Sequence, residues 1–107
     1  MPVKTIVVRD ETKPDRAEDN KRLVEKVFAE LDELSPGGFG YTSLQLEDGV
    51  TFVHIVRETG VGEIALTDVP AFKEFVANVS DRCAVQPVAM SANVVGAYRF
   101  FAGGSSV

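Results

Sequence analysis

The side chains with chemistry to offer gather on one strand pair. Val50 to Arg57, Val-Thr-Phe-Val-His-Ile-Val-Arg, is rich in β-branched and aromatic residues, reads as a strand, and carries the only histidine of the chain. Asp48-Gly49 lies just before it and signals a two-residue type I′ hairpin turn. With that turn, Glu47 opposes Val50, Gln45 opposes Phe52, Ser43 opposes His54 and Tyr41 opposes Val56. One face of the hairpin is then Tyr41, Ser43, Gln45, Phe52, His54 and Val56. It mixes aromatic rings with hydroxyl, amide and imidazole groups, the composition of a ligand pocket. His54 is the candidate catalytic residue, because an imidazole can serve as general acid or base toward a substrate hydroxyl. Tyr41, Ser43, Gln45 and Phe52, with Tyr98 from a later segment, are the candidate ligand contacts.

Each of these has a plainer reading. A strand histidine hydrogen-bonded to Ser43 across the hairpin needs no substrate. Tyr41 and Tyr98 fit a core or an interface once their hydroxyls are satisfied. Arg9, Arg57 and Arg99 could take a carboxylate, but strand ends commonly carry exposed charge. Cys83 has no second cysteine to resolve it. Gly60-Val61-Gly62-Glu63-Ile64-Ala65 resembles a dinucleotide fingerprint, yet no helix begins at its glycines and the sheet is not parallel. One cysteine and one histidine are too few for a structural metal site, and neither metal nor cofactor is expected.

The elements that must hold these residues follow from periodicity. Val3 to Asp10 reads as a first strand. Asp15 and Glu18 have capping-box spacing, and Leu23, Val24, Val27, Phe28, Leu31 and Leu34 then recur at helical intervals until Ser35-Pro36-Gly37-Gly38. Tyr41 to Glu47 is the second strand and Val50 to Arg57 the third. Thr67 or Asp68 caps a second helix with Pro70 in its first turn, a buried stripe of Val69, Phe72, Phe75, Val76 and Val79, and an end near Ser80 or Asp81. Arg82 to Asn93 reads as irregular, interrupted by Pro87, and Val94 to Phe101 as the last strand. Residues 1–101 form a single domain, with 102–107 a flexible C-terminal tail.

The order is βαββαβ, an α+β ferredoxin-like fold: a four-stranded antiparallel sheet with both helices on one face. Two helices cover one face only, yet the strands are apolar on both, so a partner sheet from a second copy is expected. The aliphatic hairpin face, Thr42, Leu44, Leu46, Val53 and Ile55, matches the helical stripes better and is expected to meet the helices. At 107 residues and net charge −5, the chain is large enough for its own core and unsuited to a nucleic-acid or anionic-membrane surface. Its apolar runs are too short to span a bilayer, and a lone cysteine suits a reducing cytoplasm.

The chain resembles the dimeric α/β-barrel superfamily, and within it the antibiotic-biosynthesis-monooxygenase-like group, from Val3 to about Phe101. The resemblance rests on the βαββαβ order, the Glu47-Asp48-Gly49-Val50-Thr51-Phe52-Val53-His54 hairpin, the Pro70-Ala71-Phe72-Lys73-Glu74-Phe75 helix opening and the closing Val94-Val95-Gly96-Ala97-Tyr98-Arg99-Phe100. It implies a homodimer whose two sheets close a barrel, with a cavity between sheet and helices in each subunit. Characterised members include cofactor-free monooxygenases of aromatic polyketides and haem-degrading relatives, usually dependent on a first-strand Asn with Trp and Tyr or His. This chain has no Trp and offers Thr5, Val7 and Arg9 in its first strand, so no family catalytic residue is carried over. The expectation is a homodimer binding a small apolar or aromatic molecule, either as a cofactor-independent monooxygenase-like enzyme or as a non-catalytic ligand-binding or structural domain. A regulatory amino-acid-binding domain shares the topology.

Overall fold

The computed structural model describes residues 3–59 and 64–100. Most of the Gly60–Ala65 motif, Phe101 and the expected tail at 102–107 lie outside them. The elements are β1 (Lys4–Thr12), α1 (Ala17–Leu34), β2 (Phe39–Gln45), β3 (Thr51–Glu58), α2 (Pro70–Ala77), α3 (Val79–Arg82) and β4 (Cys83–Ala92). The sheet order is β2-β3-β1-β4 and every neighbouring pair is antiparallel. This is the ferredoxin-like α+β arrangement, with β1 and β3 central.

Neither helix is capped as the sequence signals suggest, and the second is broken, but α1 stops at Ser35-Pro36 as expected. No side chain caps α1; a 3-10 turn, Pro14–Arg16, leads into it instead. It stops where Ser35 turns left-handed at φ 45° and its N–H bonds Leu31 O at 2.7 Å, the residue before Pro36 closing the helix. The second expected helix is two. Asn78, at φ −123° and ψ 25°, breaks it into α2 and the single turn α3. Asparagine is a weak helix former because its side chain competes for backbone partners.

The last strand is also displaced. It is Cys83–Ala92, not Val94–Phe101. Pro87 fits because β4 is an edge strand and the ladder shifts register there, from Arg9↔Val88 to Glu11↔Val85, so no inward N–H is needed. Thr5 pairs with Ala92, so residues beyond run past the start of β1 and have no strand to join. Val94 to Phe100 is therefore outside the sheet despite its strand-like composition, with Val95 fully exposed.

The hairpin register is as expected: Tyr41↔Val56, Ser43↔His54 and Gln45↔Phe52. The turn that sets it is not the two-residue type. Leu46 N–H bonds Thr51 O at 2.9 Å and Gly49 N–H bonds Leu46 O at 3.0 Å, so Glu47 to Val50 is loop. Only Gly49 there has positive φ (79°), whereas type I′ requires it at both central residues. The Asp48 carboxylate organises the loop, accepting from the N–H groups of Val50 and Thr51 and from Thr51 Oγ1.

The faces are reversed from expectation. The mixed face meets the helices, and the aliphatic face points away. Phe52 and His54 are buried, and Tyr41 and Val56 pack against a core of Val24, Val27, Leu66, Ala71 and Phe75. Aromatic complementarity decides this. Helical Phe28 stacks on Tyr41 at 5.1 Å between centroids, and Phe72 and Phe75 set their edges against Tyr41 and His54. The outer face leaves Leu44, Leu46, Val85, Val88 and Met90 exposed, Met90 at 69%.

A candidate active site between the sheet and the short helices

Three adjacent strands bring the polar groups together. β3 places His54 between Ser43 of β2 and Val8 of β1 in the ladder. Ser43 Oγ lies 2.7 Å from His54 Nδ1, and the Tyr41 hydroxyl lies 3.4 Å from the same nitrogen. On the other side, His54 Nε2 lies 3.5 Å from Asp10 Oδ2. The carboxylate sits where the β4 register shifts, and both partners are buried, Asp10 at 2% and His54 at 4% exposure. Asp10 Oδ1 has no hydrogen-bond partner among the described residues.

All of these residues but Ser43 border a cavity of about 180 Å³. Its walls are apolar: Val8 and Val56 from the sheet, Phe72, Phe75 and Val76 from α2, Val79 from α3, and Pro87 from the bulge of β4. Tyr41, His54 and Asp10 complete the lining, but the surface exposed to the space is apolar throughout. Burial pushes the Tyr41 phenol up, the Ser43 hydrogen bond opposes this, and the Asp10 charge adds to it. Tyr41 is thereby held as a neutral hydrogen-bonding group. Burial likewise raises the Cys83 thiol, with Asp10 reinforcing it. A buried thiol of that kind is a packing residue rather than a nucleophile.

The six candidates named from sequence divide cleanly. Tyr41, Ser43 and His54 come together. Phe52 backs them from below, its ring parallel to the imidazole at 6.4 Å. Gln45 turns away, its amide Nε2 donating to Gly49 O at 2.9 Å. Tyr98 is 84% exposed beyond β4 and lies outside the cavity lining. Arg99 rests on the Tyr98 ring. Asp10 is not among the six: the resemblance draws attention only to Thr5, Val7 and Arg9 of the first strand, where no Asn stands. The alternate row, Ile6, Val8 and Asp10, shares the inner face with His54 and Phe52. A lone acid ending an otherwise apolar row was the signal available. Among the described residues, no group of three or more His, Cys, Asp or Glu could hold a metal ion. None of their helices is long and apolar enough to cross a membrane.

No protein-family model matches the sequence, and no curated protein matches it either. Solved structures do. SnoaB, a cofactor-independent oxygenase from Streptomyces nogalater, superposes with TM-score 0.62 at 14% identity, covering 91% of this chain and 97% of its own. An antibiotic biosynthesis monooxygenase superposes with TM-score 0.63 at 14% identity over 87% and 99%. Rv0793 from Mycobacterium tuberculosis gives 0.68 at 13% over 90% and 98%. The fold is that of the antibiotic-biosynthesis-monooxygenase-like group. At these identities the group shares the architecture with this chain, and the chemistry must be argued from the cavity.

Proposed function

We propose that this chain is a homodimer, working in the cytoplasm, whose cavity binds a small apolar or aromatic molecule and performs cofactor-independent, monooxygenase-like chemistry. The observation that carries the reading is the row of Tyr41, Ser43 and His54, joined by hydrogen bonds at His54 Nδ1 and with Asp10 3.5 Å from the unbonded Nε2, beside an apolar cavity. A cavity of about 180 Å³ suits a ligand of one aromatic ring, since an engineered apolar cavity of about 150 Å³ takes benzene. A ring hydroxyl placed beside Tyr41 would pass its proton toward His54 Nδ1. Asp10 would stabilise the imidazolium from the other side, as a buried carboxylate does for a general base. An oxygenase in the fold group that is cofactor-independent supports the same direction.

The dimer is supported by the aliphatic outer face. Leu44, Val85, Val88 and Met90 form an apolar surface of the kind that soluble monomers avoid. A second copy of the sheet is the simplest cover.

A non-catalytic binding dimer is the second reading, favoured by one observation. His54 Nδ1 is already bonded to Ser43, Nε2 lies beside Asp10 without a hydrogen bond, and the residue is 4% exposed. Titrating phenol and 2-naphthol by calorimetry, with oxygen uptake measured alongside, separates the two. Uptake that His54→Ala lowers by about 10²–10⁴-fold supports catalysis. Binding without uptake supports the second reading, and no binding of either compound removes both.

A further inference from the structure

Among the described residues, Arg82 is the largest fully buried side chain, 1% exposed at the end of α3. No acidic side chain forms an ion pair with it among the described residues. Its Nε donates to Asn20 Oδ1 at 2.9 Å, from a residue of α1 that is itself wholly buried. Its second terminal nitrogen donates to Phe75 O, one of the last carbonyls of α2, which has no intrahelical partner to expect. The same guanidinium lies over the Phe75 ring, 5.3 Å from its centroid. Phe75 in turn sets its edge to the His54 ring at 5.5 Å and 60°, and walls the cavity. One cation thus grips both the backbone and the ring of the residue that touches the imidazole.

We propose that Arg82 is a positioning residue of the cavity, fixing the Phe75 ring against His54 and so setting the shape of the ligand space. A well-packed apolar side chain would fill the same volume without the penalty of burying a charge. The guanidinium supplies what an apolar group cannot: two directed bonds and a flat face that together lock one rotamer of Phe75. Asn20 extends the brace into α1, so the pose of Phe75 is tied to the long helix. The consequence for ligand affinity rests on the cavity reading above; the consequence for His54 does not.

The test uses the full chain and the ring protons of its single histidine. Arg82→Lys keeps the charge but cannot span both bonds and the ring face. The expected result is a folded protein in which the His54 carbon-bound protons lose the ring-current displacement given by Phe75. Affinity for phenol as probe is expected to fall about tenfold, the equivalent of 1.4 kcal/mol. In a Phe75→Leu background, Arg82→Lys should move the His54 resonances no further, since both act through one contact. Should Arg82→Lys not fold, Asn20→Ser removes only the Nε acceptor and should give the same displacement in smaller measure. An Arg82→Lys or Asn20→Ser protein that melts earlier yet leaves the His54 resonances in place would overturn the proposal, since a purely structural brace predicts that. If the parent protein binds no phenol, the cavity reading fails while the resonance comparison still decides the role of Arg82.

Discussion

Ser43 Oγ lies 2.7 Å from His54 Nδ1 because the two residues are directly paired in the β2–β3 ladder. The bond is therefore a property of register, and it couples the two residues energetically. Ser43→Ala and His54→Ala should each destabilise by about 1–3 kcal/mol, through a partner left unsatisfied in the interior. Their double variant should fall short of the sum. Urea melts of the four proteins measure this. Additive losses would show that the bond carries no stability of its own.

The outer face of β3 provides a second prediction. Ile55 pairs with Thr42 and Val7 on the side away from the helices. With a second sheet covering that side, the buried interface is of the obligate class, above about 2,000 Å² in total. Sedimentation over a wide dilution range should then show no folded monomer, and Ile55→Asp should abolish folding rather than split the dimer. A soluble, folded monomer would refute the paired-sheet reading.

Asp48 predicts behaviour in acid. The Thr51 hydroxyl, then the Thr51 and Val50 N–H groups, hold its carboxyl below the usual carboxylate range. A carboxyl lowered in the folded state contributes stability that is present above its unfolded value and is lost as pH falls through the folded one. Asp48→Asn should therefore flatten the acid side of the stability curve from about pH 4 downward, in the window that opens at the ordinary aspartate value of 3.8. Thermal melts at stepped pH provide the readout. An unchanged slope would show that the loop does not hold its charge.

Tyr41 predicts the opposite limb. Its phenol is raised mainly by burial, so its stabilising contribution is complete below the unfolded value of 10.0 and is lost as pH climbs through the folded one. Tyr41→Phe should relieve that alkaline loss while removing a contact to His54. Absorbance of tyrosinate followed against unfolding should show Tyr41 ionising only as the fold gives way. Early ionisation of a still-folded Tyr41 would contradict this.

Much of the architecture was legible because it depends on local pattern. The βαββαβ order, the α1 stripe and the pairing of Ser43 with His54 come directly from periodicity and turn residues. What was illegible depends on neighbours. Pro87 reads as a strand breaker until one knows that β4 lies at an edge, and Val94 to Phe100 reads as a strand until one knows that β1 has ended. Counting aliphatic residues points to the wrong inner face, because Phe28, Phe72 and Phe75 favour rings opposite them. Asn20 and Arg82 meet across 62 positions of sequence, a separation that no local pattern encodes.

The four-residue loop around Asp48 carries a consequence for how such a chain can change over generations. Its length decides which row of β2 faces inward against β3. Losing or gaining one residue there would send Tyr41 and Ser43 outward and bring Thr42 and Leu44 in, exchanging the two surfaces in a single event. Changes in steps of two would preserve both. Descendants of this chain are then free to vary the loop in composition, but an odd insertion or deletion would forfeit the cavity and the outer face together.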